Sequence, residues 1–68
     1  MAEVKIDTEY IKLDQFMKFQ GIVSTGGEAK HFISEGHVKV NGNIELSRGK
    51  KMKIGDIIEF KGKIFKIV

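Results

Sequence analysis

The 68-residue sequence contains no cysteine, no proline and no tryptophan. Without cysteine there is no disulfide to staple a small core and no thiolate metal site. A chain of this size buries only ~60% of the surface that its unfolded form exposes, so packing and backbone hydrogen bonds must carry the fold. Absence of cysteine also fits a reducing compartment. Without proline, chain reversals fall to the eight glycines and to asparagine and aspartate. No apolar run approaches the ~20 residues that a membrane-spanning helix needs. The opening MAEVKIDTEY mixes charged and apolar residues and lacks the apolar stretch of a secretory signal. No low-complexity segment, linker or internal repeat divides the chain. These features predict one soluble, cytoplasmic domain over residues 1–68 with no membrane partner.

Catalytic constellations are equally scarce. His31 and His37 are the only histidines, and their separation fits neither HxxxH nor HExxH, so no metal site is expected. The nine carboxylates are scattered and show no catalytic pair. Gly26-Gly27 followed by Lys30 suggests a phosphate loop, but GxxxxGK[ST] is missing and no long buried strand precedes it. The methionines and phenylalanines are assigned to the core rather than to a cofactor. The sequence therefore predicts no enzyme, no cofactor and no small-molecule substrate.

What is present is charge, unevenly placed. Residues 1–28 hold three lysines against five carboxylates, a net of −2, whereas residues 29–68 hold nine basic residues against four carboxylates, a net of +5. Such asymmetry gives part of the surface a positive potential and favours polyanionic partners; solvation of a sheet's outer face is the plainer alternative.

Val4 and Ile6 alternate with Lys5 and Asp7, predicting a short first strand. Leu13, Phe16, Met17 and Gln20 recur at helical spacing, and Gly21 suits the helix's C-terminal end. Ser24 or Thr25 caps a second helix whose buried stripe is Ala29, Phe32, Ile33 and Gly36, with Gly27, Lys30, His31 and Ser34 opposite. Val38 and Val40 then point one way and Lys39 and Asn41 the other; Asn41-Gly42 is the signature of a type I′ hairpin. Ile44 and Leu46 continue the alternation on the return, residues 47–53 (SRGKKMK) form a basic connection, and Gly55-Asp56 turns the chain into Ile57, Ile58 and Phe60. Lys61-Gly62 makes a second tight turn before Ile64, Phe65, Ile67 and Val68. The predicted class is α+β: two short helices packed on a small, twisted antiparallel sheet.

Between residues 11 and 60 the motifs Lys12-Leu13-Asp14, Gly21, Ala29, Ile33, Gly36, Val38, Val40, Asn41-Gly42 and Gly55-Asp56 recur in a specific order. In that order they resemble the S4 RNA-binding domain family, whose fold is also called the αL motif. The short length and the GG-x-A-K segment are most similar to the stand-alone bacterial S4-domain proteins of the YaaA/YbcJ type. The resemblance implies a non-catalytic, monomeric RNA-binding module for structured RNA, such as ribosomal RNA or the ribosome, in ribosome assembly or translation. It implies an RNA surface across the second helix, the first hairpin and the loop that follows. Lys30, Lys39, Arg48, Lys50 and Lys51 are the leading contact candidates, with Lys12 and Lys18 secondary. Thr25, Gly26, Gly27 and His31 complete the candidate set, the first three as either a phosphate nest or a plain helix cap. Lys61, Lys63 and Lys66 are assigned to solvation and Asn41 to structure. One departure stands out: Thr25-Gly26 occupies the place of the family's Ser-Arg pair, so an arginine that would touch phosphate is missing. A protein-interaction adaptor that keeps the S4 fold with weak or no RNA affinity is the competing expectation.

Overall fold

The computed structural model of the chain describes residues 1–68. The elements run β1 (Ala2–Val4), β2 (Ile11–Lys12), α1 (Leu13–Phe19), α2 (Gly26–Ser34), β3 (Val38–Val40), β4 (Asn43–Ile44), β5 (Lys51–Met52), β6 (Ile57–Phe60) and β7 (Lys63–Ile67). Five strands form one sheet in the order β1-β7-β6-β3-β4, and β2 pairs with β5 in a separate ribbon. Val38, Val40, Ile58, Phe60, Phe65 and Ile67 share one face of the larger sheet. They pack against Leu13, Phe16 and Met17 of α1 and Ala29 and Ile33 of α2. Phe16 meets Phe65 edge-on with ring centres 5.3 Å apart. Every buried residue is apolar, so hydrophobic burial holds the two layers together without a buried charge.

The helices form where the spacing predicts and end alike. In α1, Gly21 and Ile22 donate to the carbonyls of Lys18 and Met17; in α2, Gly36 and His37 donate to those of Ile33 and Phe32. These are Schellman closures, and they require the left-handed φ of +72° at Gly21 and +80° at Gly36. Thr25 caps α2: its Oγ1 accepts from the Glu28 amide at 3.1 Å, and the Glu28 carboxylate accepts from the Ser24 amide at 2.9 Å.

Both predicted tight turns are present. Asn41 and Gly42 have φ of 51° and 85°, and Lys61 and Gly62 have 50° and 77°, as type I′ turns demand. Asn41 also ties its hairpin to the Gly55-Asp56 turn. Its Oδ1 accepts from the Ile57 amide at 2.9 Å and its Nδ2 donates to Asp56 Oδ1 at 3.1 Å, while Asp56 Oδ2 accepts from the Lys53 amide at 2.8 Å.

The structure departs from the sequence pattern in three places. The sheet is mixed, because β1 lies parallel to β7 in the register Val4↔Ile67; alternation assigns a face but carries no information on strand direction. Ile44 and Leu46 do not continue into the core and are 58% and 62% exposed, since β4 is a two-residue edge strand after which the chain leaves the sheet. Residues 47–53 are more than a connection: β5 lies within them, and Met52 is fully buried.

A Cβ on Gly42 would meet nothing within 4 Å, so a side chain there is penalised by φ alone. Gly42→Val is expected to destabilise the protein by ~1–2 kcal/mol, read as a lower thermal midpoint. For Asp56, burial alone would raise the carboxyl pKa. Hydrogen bonds from the Lys53 amide and the Asn41 side chain, with the charges of Lys50 and Lys53, outweigh it and hold the pKa below its ordinary value. A lowered folded-state pKa stabilises above the unfolded value of ~3.9 and loses that effect as pH falls through the folded value. Asp56→Asn should therefore melt earlier than the parent at pH 7, with the gap closing in melts taken progressively below pH 4.

Candidate nucleic-acid interface

The first N–H groups of a helix have no partner inside it, and a side-chain oxygen just before the helix ordinarily supplies one. The residue before α1 is Lys12, which has no acceptor to offer. Carbonyls from the distant basic segment take its place: the Leu13 amide donates to Lys50 at 2.9 Å and the Asp14 amide to Arg48 at 3.0 Å. The Lys12 amide donates to Gln15 Oε1 at 3.3 Å. Residues 47–50 close into a turn through the Lys50 amide and the Ser47 carbonyl, 3.2 Å apart.

The β2–β5 ribbon completes the arrangement. Ile11 pairs with Met52, whose burial anchors the ribbon, and Lys12 pairs directly with Lys51. Alternation puts Lys12 and Lys51 on the same outward side, and both are exposed. Like charges directly opposed across an antiparallel pair are destabilising. The Lys51 ammonium also lies 4.9 Å from the centre of the Tyr10 ring, which restrains it. Lys12, Arg48, Lys50 and Lys51 therefore form one group at the start of α1. None of their side chains donates one of the side-chain hydrogen bonds of the structure.

The remaining candidates are placed differently. Thr25, Gly26, Gly27, Lys30 and His31 belong to the start and exposed side of α2, which packs directly on α1. Thr25 is a helix cap, and the Glu28 carboxylate sits in the first turn, so that end of α2 already has its own acceptors and its own negative charge. Lys18 is exposed on α1. Lys39 leaves the sheet face opposite the helices, where its cross-strand neighbours are Glu59 on β6 and Ile44 on β4. Lys30 leaves the outer side of the helix layer, so the structure does not bring Lys30 and Lys39 onto one surface. The reason is the valine pair: burying Val38 and Val40 against the helices turns Lys39 away from them.

Three residues outside the sequence-derived set are also notable, two of them beside the ribbon cluster and the third apart from it. Tyr10 supports Lys51. Lys53 stands beside the same segment with its amide bound to Asp56. Lys61, assigned to solvation by the sequence pattern, lies with its ammonium 5.1 Å and 5.5 Å from the ring centres of Phe32 and Phe60. Its signal was a lysine in the first position of a type I′ turn, where asparagine, aspartate or glycine is usual. No group of three or more histidine, aspartate or glutamate side chains is placed to hold a metal ion, and no helix is long and apolar enough to cross a membrane.

The sequence matches the S4 domain family over residues 4–68. It is 44% identical over 59 residues to the Bacillus subtilis protein named "Probable ribosome maturation protein RlbA", covering 87% of this chain and 83% of that one. Identity to YbcJ of Escherichia coli is 32% over 59 residues, covering 87% and 84% respectively. The fold superimposes on the solution structure of E. coli YbcJ with a TM-score of 0.74 at 30% identity, covering 100% of this chain and 87% of that one; that structure is described as revealing an αL motif involved in RNA binding. Small ribosomal subunit protein uS4 of Rhodopseudomonas palustris is 42% identical over 50 residues, which is 74% of this chain but 24% of uS4.

The opposed lysines give a direct test of whether the cation cluster strains the fold. Lys12→Glu would replace a repulsive cross-strand pair by an attractive one and place a negative charge at the start of α1. The variant is expected to gain roughly 0.5 kcal/mol, raising the thermal midpoint by about 2–4 °C for a domain of this size. A lower midpoint would show that Lys12 is held there for stability.

Proposed function

The chain belongs to the S4 domain family, and from that we propose that it is a non-catalytic RNA-binding protein that holds structured RNA, ribosomal RNA in particular, through phosphate contacts. The surface is Lys12, Arg48, Lys50 and Lys51 at the start of α1, extended over the exposed side of α2 by Lys30. The observation that carries this reading is the Lys12–Lys51 pair, set directly opposite across a ribbon and unneutralised by any hydrogen-bonded partner. A fold gains nothing from that repulsion, whereas a phosphate placed between the two ammonium groups removes it. Backbone-held lysines and arginines of this kind read phosphate position and RNA shape rather than base edges. The names of the B. subtilis relative and of uS4 support a ribosomal RNA, in assembly or in translation, and hence a cytoplasmic setting. In this reading residues 1–68 act as one S4-like unit, as a monomer, without a cofactor.

One observation favours the adaptor alternative. The end of α2, which has Thr25-Gly26 in place of the family's Ser-Arg, is closed by its own cap and carries Glu28. A protein partner in place of RNA would leave the Arg48 loop dispensable.

Purified total ribosomal RNA serves as the probe. With four phosphate contacts, log affinity should fall linearly with log salt with a slope of about −3 to −4, at ~0.7–0.9 per contact. Arg48→Glu with Lys50→Glu is expected to weaken binding at least tenfold, ~1.4 kcal/mol. Lys39→Glu with Lys66→Glu, on the sheet face away from the helices, makes the same change in net charge and should weaken it much less at moderate salt, where long-range effects are screened. Equal losses in the two pairs would displace the site; no loss in either, with a flat salt response, would favour the adaptor.

A further inference from the structure

A cleft of about 210 Å³ opens at the other end of α1, lined by Gly21, Ile22, Phe32, Phe60, Lys61 and Lys63. Its size is below the ~300 Å³ at which pockets for drug-sized ligands begin, so it suits one flat ring system and little more. Phe32 forms its wall and is braced on several sides. His31 and His37 approach it edge-on, with ring centres 5.9 Å and 6.1 Å away, and Phe60 does so at 5.3 Å. At the mouth stands Lys61, whose ammonium lies over both phenylalanine rings, 5.1 Å and 5.5 Å from their centres. Lys61 occupies this place at a backbone φ of 50°, a conformation that lysine rarely adopts and that glycine or asparagine would take with less strain. The equivalent position of the first hairpin is Asn41. Lysine at this turn therefore has a local cost, and what it provides is a cation held over aromatic rings, with Lys63 beside it.

Aromatic walls, a cation at the mouth and a second cation on the rim are the chemistry that recognises a nucleotide. Aromatic rings stack on the face of a base, and ammonium groups take its phosphate or its ring acceptors. We propose that the Phe32–Phe60–Lys61 cleft receives one unpaired nucleobase of the bound RNA, with Lys63 on the adjoining phosphate. The proposal rests on the RNA-binding reading above and adds to it a contact with a base, at a site that the phosphate-binding cluster does not include. The two sites lie at opposite ends of α1, whose seven residues span about 10 Å. One RNA strand can therefore reach both.

Three probes separate the possibilities by amide chemical shifts on the isotope-labelled chain: hexa-adenylate, an abasic ribose-phosphate hexamer of equal charge, and adenosine monophosphate. Hexa-adenylate is expected to shift Gly21, Ile22, Phe32 and Lys61, and the abasic hexamer to leave those four in place while still shifting residues 48–51. Lys61→Gly, which relieves the backbone at that turn and so keeps the fold, should weaken hexa-adenylate at least threefold and leave the abasic hexamer unchanged. Phe32→Leu, which keeps an apolar side chain but removes the ring, should do the same. The proposal is overturned if the two hexamers shift the cleft equally, or if hexa-adenylate shifts only residues 48–51; in the latter case the phosphate-binding reading stands without it. Failure of both hexamers to shift either region would overturn the base site, while the phosphate-binding reading would be decided by the ribosomal-RNA titration. Adenosine monophosphate binding the cleft as tightly as hexa-adenylate would assign it to a free nucleotide and overturn the RNA source.

Discussion

Two hydrogen bonds, from the Leu13 and Asp14 amides to the carbonyls of Lys50 and Arg48, bring the basic 48–51 segment to the start of α1. They exist because the chain places lysine, which has no acceptor, immediately before α1. An unsatisfied buried amide costs roughly 1–3 kcal/mol, so the helix start must find acceptors elsewhere. Acceptors from the backbone of a basic segment bring that segment's side chains with them. The lysine that denies the helix a cap and the loop that replaces the cap then lie side by side as one cluster. Met52 makes the arrangement durable, since its complete burial anchors the ribbon that opposes Lys12 to Lys51.

The first hairpin turn and the loop are joined to this centre through Asn41 and Asp56. Asp56 accepts from the Lys53 amide and from Asn41, and Asn41 accepts from the Ile57 amide. A continuous set of hydrogen bonds thus runs from the β3–β4 turn to the segment that carries Arg48, Lys50 and Lys51. Only 14 of the 68 residues are buried, none of them polar, and no disulfide assists them. In so small a core, exposed polar ties of this kind hold loop geometry that packing alone cannot.

The fold and the basic surface also constrain one another by face. Hydrophobic burial of Val38 and Val40 obliges Lys39 to leave the far side of the sheet, beside Glu59, whereas the cations of the proposed RNA surface stand at the ribbon and along the helices. Two positive regions that are close in sequence, Lys39 and Arg48, thereby end on different surfaces. Two that are remote in sequence, Lys12 and Lys51, end as neighbours. Lys61 shows the same effect on a smaller scale: a turn lysine that composition assigns to solvent is drawn over Phe32, a residue 29 positions earlier in the chain.

What the sequence by itself determined is local. Helical spacing of Leu13, Phe16 and Met17, the Thr25 cap, the glycines at the two helix ends and the Asn41-Gly42 turn are each encoded within a few residues, because φ preference and periodicity act over that range. The ordered set of those local signals sufficed for the family and for the α+β class. Tertiary structure alone decided the parallel pairing of β1 with β7, the ribbon of β2 with β5, the exposure of Ile44 and Leu46, and which lysines share a surface. Those outcomes depend on contacts between residues some forty or more positions apart, or on where an edge strand stops. No residue's own propensity carries that information; it appears only when buried apolar area and unpaired amide groups are satisfied together across the whole chain.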